Sequence, residues 1–238
     1  MILLFKRLRK NILCLLTIIL IFPFKLRSQK TVKQNDSIFY REDQIYINLN
    51  YNSLKNTPEN FSQNKFSSSL SLGFIRDIPI NKNRNFGLGL GLGFSSGSYN
   101  NNYKFTNSSG NFIIESISDL NTFQKNKWTL NQLEFPFELR WRTSTPTNYK
   151  FWRIYTGIKT SYLISSKSKF SSSTGSQTLS GLPFNKIQYG LTVNLGNNTW
   201  NIGLFFGLNP IFEDEFVEKN QNIKNIKPFK VGLVFYIL

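Results

Sequence analysis

Two neighbouring segments of the chain, residues 127–142 and 149–164, alternate between apolar and polar side chains with a period of two. One face of the first segment consists of Leu133, Phe135, Phe137, Leu139 and Trp141. One face of the second consists of Trp152, Ile154, Ile158, Tyr162 and Ile164. Because successive side chains of a β-strand point to opposite faces of the sheet, the alternation predicts a hairpin that turns at residues 143–148.

The predicted hairpin has one apolar and one charged face, and two fold classes use such a sheet. A soluble sandwich buries the apolar face and leaves the charged face in water. A transmembrane barrel turns the apolar face to lipid and the charged face to its lumen. The hairpin is compatible with both classes, so the choice depends on the rest of the chain.

Six further segments alternate in the same way, which brings the number of predicted strands to eight. These segments are residues 44–51, 65–77, 85–98, 185–195, 199–208 and 228–238. Short connections alternate along the chain with longer ones. The short connections are residues 78–84, 143–148 and 196–198, and the longer ones are residues 53–64, 99–126, 167–183 and 209–227.

This sorting of connections is typical of outer-membrane barrels, which have short periplasmic turns and longer extracellular loops. We therefore predict an all-β fold, an eight-stranded antiparallel transmembrane β-barrel in the outer membrane. A barrel of eight strands is filled by side chains, so we expect no pore. Four tryptophans near strand ends are expected to lie in the aromatic girdles at the membrane interfaces. They are Trp128, Trp141, Trp152 and Trp200.

Glycine occupies every second position in part of the predicted third strand. These residues are Gly87, Gly89, Gly91 and Gly93. A phosphate-binding loop would require a Lys-Ser/Thr pair after the glycines and then a helix, and the sequence favours neither. Glycines on the inner wall of a small barrel leave room for large side chains from the opposite wall. The candidates to fill this room are Arg140, Arg153, Tyr155 and Lys159.

In a barrel, the charged face of the hairpin lines a narrow lumen. The candidate residues of this lumenal network are Glu134, Glu138, Arg140, Arg153 and Lys159. The predicted turn makes the numbers of facing residues sum to about 291 or 293, which places Glu138 opposite Arg153 or Glu134 opposite Lys159. Because an unpaired buried charge is costly, we interpret these residues as a structural ion-pair network and not as a catalytic or gating cluster.

The first residues have the pattern of an export signal. Four basic residues, Lys6, Arg7, Arg9 and Lys10, precede a short apolar run. We predict a signal peptide over residues 1–28, a periplasmic lead-in over 29–43 and the barrel over 44–238. An uncleaved anchor is the alternative, and the run is short of the ~20 residues that a membrane span requires. Cys14, the one cysteine, lies in the predicted signal, so we expect no disulfide.

The last predicted strand ends in alternating hydrophobic residues that follow a basic residue and a glycine. The pattern comprises Lys230, Gly232, Phe235 and Ile237. It resembles the C-terminal signal that the barrel-insertion machinery reads, although the final Leu238 stands where an aromatic residue is usual. The insertion machinery is therefore an expected partner.

Composition narrows the range of functions. The chain has no histidine, which excludes a Ser-His-Asp triad and most kinds of zinc site. We predict no catalytic residues, metal or cofactor. The net charge of +16 would suit a nucleic-acid partner, but the basic residues are spread over strands and loops, and an exported chain seldom meets nucleic acid. Outer-membrane lipid with anionic headgroups is the expected electrostatic partner.

The hairpin also carries a family resemblance. The run from Leu133 to Arg142 (LEFPFELRWR), followed by residues 149–157 (YKFWRIYTG), resembles the PorT family of outer-membrane barrels from Bacteroidetes. The resemblance implies a non-enzymatic protein that is required for protein secretion by the type IX secretion system, and for gliding motility where that occurs. It implies other components of that system as partners. The alternative is a general small barrel that has a structural role or binds a ligand through loops 99–126, 168–183 and 209–227.

Overall fold

The computed structural model describes residues 43–63, 65–81, 83–108, 110–117, 123–143, 151–197 and 200–237. The predicted signal peptide and the lead-in up to residue 42 lie outside these residues, as does most of the predicted turn 143–148. None of the helices in the described ranges is long and apolar enough to span a membrane.

The described residues form strands and two short helical segments. The strands are β1 (Gln44–Lys55), β2 (Ser68–Pro79), β3 (Phe86–Asn100), β4 (Tyr103–Ser108), β5 (Asn111–Ser116), β6 (Phe123–Arg142), β7 (Trp152–Ser172), β8 (Gly175–Ser180), β9 (Ile187–Asn197), β10 (Trp200–Gly207) and β11 (Lys227–Ile237). The helical segments are helix α1 (Asp214–Glu218) and a 3₁₀ turn (Gln221–Ile223).

Eight of these strands close into an antiparallel ring, in the order β1, β2, β3, β6, β7, β9, β10 and β11. Strand β11 pairs with β1 from Ile45–Ile237 to Lys55–Lys227, and this pairing closes the barrel. The predicted eight-stranded antiparallel barrel is confirmed. Closure leaves no open sheet edge within the ring, which a membrane requires because lipid cannot satisfy free backbone groups.

The outer wall of the barrel is apolar and the inner wall is polar. Leu90 and Phe137 expose 49% and 42% of their surface, whereas Glu134 and Arg140 expose 0% and 1%. Each of the eight ring strands contributes an exposed apolar residue to a continuous belt. Examples, one per strand, are Leu49, Leu72, Leu90, Phe137, Ile158, Leu191, Ile202 and Leu233. A soluble sandwich would show the reverse, so the wall is built to contact lipid.

The predicted register of the central hairpin is wrong, because each β6 residue faces a β7 residue two or four positions farther along the chain than predicted. Glu138 faces Gly157 and Arg142 faces Arg153, so the numbers of facing residues sum to 295 and not to 291 or 293. The reason is the connection, because β7 starts at Trp152, three residues later than predicted. A bulge between Asn131 and Gln132 shifts the register again toward the loop end.

The long connections contain more regular structure than predicted. Strands β4 and β5 form a hairpin within the predicted loop 99–126. Strand β8 extends the sheet beside the end of β7 within the predicted loop 167–183, and α1 lies within loop 209–227. We call this side of the barrel the loop end and the opposite side the turn end.

Candidate functional site

The lumen near the turn end holds a buried acid between two arginines. Asp77 accepts hydrogen bonds from Arg140 Nη1 at 3.2 Å and from Arg142 at 3.0 and 2.8 Å. Arg140 Nε also donates to Glu138 Oε2 at 3.0 Å. These side chains are almost completely buried, so each charge is stabilised by an opposite charge on its own strand or on the strand beyond β3.

A second ion pair lies farther toward the loop end. Lys159 Nζ is 3.0 Å from Glu134 Oε1, and the Tyr46 hydroxyl donates to Glu134 Oε2 at 3.3 Å. Lys159 and Lys230 contact the ring of Phe205, with their amines 5.0 and 5.5 Å from its centroid. The structure therefore brings Lys159 to Glu134 diagonally, although the residue that directly faces Glu134 is Ser161.

The expected pairing of Glu138 with Arg153 does not fit the observed register. Glu138 pairs with Arg140, while the Arg153 guanidinium lies 4.6 Å from the Phe151 ring and 5.5 Å from the Tyr236 ring. The Tyr236 hydroxyl accepts a hydrogen bond from Asn194 Nδ2 at 3.1 Å. Cation–π contacts thus take the place of the predicted ion pair at Arg153.

The inner-wall glycines are covered by large side chains, only one of which was predicted. A Cβ atom on Gly89 would lie 2.6 Å from Arg140 Nε. A Cβ on Gly93 would collide with the Tyr46 hydroxyl. The atoms nearest to the remaining two glycines of the row belong to other residues. They are Asp77 and Ile78 at Gly87, and Ile75, Phe74 and Pro136 at Gly91.

The described lumen residues leave a small cavity between the two groups of ion pairs. A cavity of about 30 Å³ lies among side chains that include Tyr46, Glu138, Lys159, Lys230 and Tyr236. This volume holds about one or two water molecules, which polar walls can bind. The lumen at this level is therefore a packed polar interior and not a passage for solutes.

A hydrophobic core lies at the loop end, above the charged lumen. We call it the cap. Its buried members come from the ends of β1, β3 and β6 and from three long connections. They are Leu54, Tyr99, Tyr103, Phe105, Ile114, Trp128, Leu130, Leu182, Phe184, Ile211, Phe212, Phe216, Val217, Ile223 and Ile226.

Trp128 is at the centre of the cap. It is fully buried, and its Nε1 donates to the Tyr103 carbonyl at 3.0 Å. The rings of Phe105, Phe184 and Phe212 contact it edge-on, with centroids 5.4, 5.8 and 5.7 Å away. Trp128 is therefore a core residue, and its predicted place in an aromatic girdle is wrong. Trp152 and Trp200 are exposed at the turn end, and their place in a girdle stays a prediction.

Asparagine side chains satisfy the backbone of the cap. Asn126 Nδ2 donates to the carbonyls of Asn101 and Tyr103 at 2.9 and 2.8 Å. Asn185 Nδ2 donates to the carbonyls of Pro210 and Phe212 at 2.9 and 2.7 Å. Buried loops need such partners for their polar groups, which explains part of the asparagine content of these connections.

Tyr103 links the cap to the first long connection. Its hydroxyl donates to Asn60 Oδ1 at 2.6 Å, and burial raises the pKa of the phenol. Asn102 Oδ1 accepts from the Ser62 amide at 2.7 Å. The connection between β1 and β2 is therefore held against the β4–β5 hairpin.

The sequence interpretation missed Asp77, Tyr46 and the cap. The alternation of β2 puts Asp77 on the same inward face as Ser69 and Ser71, so its position was readable from the pattern. Trp128 and Leu130 likewise fall on inward positions of β6. Among the residues of the proposed insertion signal, Lys230 is buried in the lumen, while Phe235 lies on the outer wall against Trp200 with ring centroids 5.2 Å apart. Gly232 faces Asn50 and Ile237 faces Ile45 on β1.

Comparisons with known proteins found two similar solved structures. Two crystal structures of Ail, the attachment invasion locus protein of Yersinia pestis, are similar at 12% and 13% identity, with TM-scores of 0.36 and 0.37. The matches cover 82% and 83% of this chain and 97% and 99% of Ail, and the second structure contains the heparin analogue sucrose octasulfate. A search of the curated proteins gave no match.

A family model gives the assignment. The model described as outer membrane protein beta-barrel domain matches residues 29–213, which is most of the chain. That match accompanies a closed eight-stranded ring with an apolar outer wall. The chain is an outer-membrane protein and belongs to the outer membrane protein beta-barrel domain family.

Proposed function

We propose that the protein is a non-conducting, non-enzymatic barrel that presents its cap at the cell surface as a rigid binding surface. The cap core is the observation that supports this proposal, because it joins three long connections into one packed unit. The proposal corresponds to a general small barrel that binds a ligand through its outer loops.

The cap contains more ordered and packed structure than is needed only to connect strands. Fixing the backbone of a residue costs about 1–2 kcal/mol of conformational entropy, so long ordered connections need compensating burial. The stacked pair Phe184–Phe212, with centroids 5.0 Å apart, and the buried Phe105 supply burial of this kind. Loops that are ordered before binding lose less entropy when a partner arrives, which favours a binding role.

The surface that the cap offers includes an edge strand. Strand β8 pairs with β7 and stands last in the order of the sheet. Its residues Ser176, Thr178 and Ser180 are exposed. Ile113 on β5, in another of the long connections, exposes 39% of its surface. An edge strand with free backbone groups can accept a strand from a partner.

Photo-crosslinking in intact cells tests this role. The photoreactive amino acid p-benzoylphenylalanine would replace Thr178 or Ile113 on the cap and, as a control, Ile158 on the lipid-facing wall. We expect a discrete crosslinked partner from Thr178 and none from Ile158. Crosslinks from neither Thr178 nor Ile113 would contradict a binding role for the cap. Planar-bilayer recordings should show no conductance for the purified protein, because the lumen is packed.

A role in type IX secretion is the second candidate, and the hairpin resemblance to the PorT family is what favours it. In this case the protein would act through contacts with other components of that system. The test is a clean deletion in the source organism, followed by comparison of secreted cargo in the medium and in the periplasm. Cargo that accumulates in the periplasm and is released again on complementation would support this role. Unchanged secretion would leave the cap-binding role as the account.

A further inference from the structure

Two strands carry lysines that face each other on the outside of the barrel. Lys127 on β6 lies directly opposite Lys169 on β7, and Lys125 and Lys167 flank them on the same face. Like charges directly opposite each other on a sheet are destabilising, so this arrangement favours an anion that binds between them.

Nothing in the described part of the chain neutralises these lysines. The ion pairs found among the described residues involve other side chains. Glu115 faces Lys104 across the separate β4–β5 hairpin. We therefore expect the negative charge that binds these four lysines to belong to a group outside the described residues.

The lysines lie just above the apolar belt. Along β7 the outward residue Ile164 belongs to the belt, and Lys167 follows three residues later. Three strand residues span about 10 Å, and strand tilt shortens this along the membrane normal. The headgroup zone of a bilayer begins where the hydrocarbon core ends, so these amines lie at the depth of lipid headgroups.

A groove of about 700 Å³ on the outer wall leads from the belt to Lys127. It forms where small residues replace the large apolar residues of the belt, among them Ser68, Ser96 and Ser98. Its apolar floor and walls include Leu49, Leu70, Leu233, Tyr51 and Phe66. A groove of this composition suits an acyl chain, and its polar upper rim suits the polar part of the same lipid.

We propose that this surface binds a phosphorylated lipid of the outer leaflet. Lys127 and Lys169 hold a phosphate group of its headgroup, and Lys125 and Lys167 add to the local positive potential. One acyl chain lies in the groove below. Phosphate oxygens accept charge-assisted hydrogen bonds from lysine amines, and these bonds are among the stronger polar contacts in proteins. The groove favours a lipid over a free phosphate ion, because only a lipid has an acyl chain that can lie in it.

The test is native mass spectrometry of the full chain purified in detergent, with bis-phosphorylated lipid A as the probe. We expect wild type to retain one lipid A molecule. The double variant Lys127→Gln/Lys169→Gln should lose affinity by about twenty-five-fold, because each lysine near an anionic headgroup contributes roughly fivefold. Ser96→Phe should also weaken binding, because it fills the groove without changing any charge.

The matched control is a second pair of facing lysines, Lys55 and Lys227, on β1 and β11. Lys55→Gln/Lys227→Gln removes the same charge and should retain the lipid. Equal losses in the two double variants would overturn the proposal, because the attraction would then come from net charge. Equal binding of dephosphorylated lipid A by wild type would also overturn it, as would full displacement by millimolar inorganic phosphate. Heat-modified gel mobility checks that every variant is folded.

Discussion

The two halves of the barrel distribute apolar and charged residues in opposite ways between the inside and the outside. Toward the turn end, the inward residues of β6 are charged and the outward residues are apolar, as with Glu138 and Phe137. Toward the loop end of the same strand, inward Trp128 and Leu130 are buried and apolar, while outward Lys127 is polar. The direction of the hydrophobic pattern therefore inverts within one strand.

A bulge marks the place where the pattern inverts. On β7 the outward residues are even-numbered up to Ile164 and odd-numbered from Lys167, and the register shift opposite them lies between Asn131 and Gln132. The extra residue of a bulge changes which face the following side chains occupy. The difference between the halves follows from the surroundings: lipid around the belt requires an apolar outer wall, and water around the cap requires an apolar interior.

Removal of Asp77 should have the largest effect on the charged half. Asp77→Ala leaves Arg140 and Arg142 buried without their shared carboxylate, and we expect a loss of about 3–5 kcal/mol in the free energy of unfolding. Urea unfolding in lipid vesicles measures it. The exposed Glu215, 3.9 Å from Lys219, provides the control. If Asp77→Ala were as stable as Glu215→Ala, the paired charges would not be what stabilises this half.

Removal of Trp128 should affect the cap and leave the barrel closed. Trp128→Ala leaves a cavity at the centre of the cap. It should lower the free energy of unfolding of the cap by about 3–5 kcal/mol, which is typical for a buried tryptophan. Limited proteolysis of intact cells should then cut within residues 99–126 or 209–227, whereas gel mobility should still report a closed barrel. Loss of the barrel together with the cap would show that the two halves are one cooperative unit.

An arginine on the outer wall should distinguish the two halves by depth. Leu90→Arg places a charge in the middle of the belt and should lower the free energy of unfolding by about 2–4 kcal/mol. Ser98→Arg lies on the same strand and the same face, eight residues closer to the loop end, and should cost less than about 1 kcal/mol. Equal costs in vesicle unfolding would contradict the position that the structure gives to the edge of the belt.

A methyl group on the inner wall should have a smaller effect than an arginine in the middle of the belt. Gly93→Ala collides with the Tyr46 hydroxyl, and overpacking of this kind costs about 1–3 kcal/mol. Tyr46→Phe removes the colliding oxygen, so the double variant should recover part of the loss that Gly93→Ala causes. A double-mutant cycle measures the coupling. Additive effects would mean that the tyrosine moves away freely and that the lumen is less tightly packed than described.

The belt and the strand order were predictable because strand alternation is a local property. Phe86 to Phe94 and Leu133 to Trp141 show the period of two without any knowledge of their neighbours. The hairpin register was not predictable, because it depends on where β7 resumes after the turn. Arg153 consequently lies against aromatic rings and not opposite Glu138.

The cap escaped prediction for a different reason. Phe184, Phe212 and Phe216 come from connections with no periodicity, and only the closed barrel brings them together. Trp128 was assigned to a girdle because tryptophans near strand ends commonly lie there. Its even number, shared with the inward Glu134 and Glu138, was the signal for an inward position.

Cysteine accessibility tests most directly whether water surrounds the cap and lipid surrounds the belt. Cys14 is the one natural cysteine and lies in the predicted signal peptide, so single cysteines can be introduced at Thr178 on β8 and at Ile158 in the belt. Intact cells would be treated with a membrane-impermeant maleimide. The account predicts rapid labelling of Thr178→Cys, and labelling of Ile158→Cys only after denaturation. Equal labelling of both, or protection of Thr178→Cys, would contradict it.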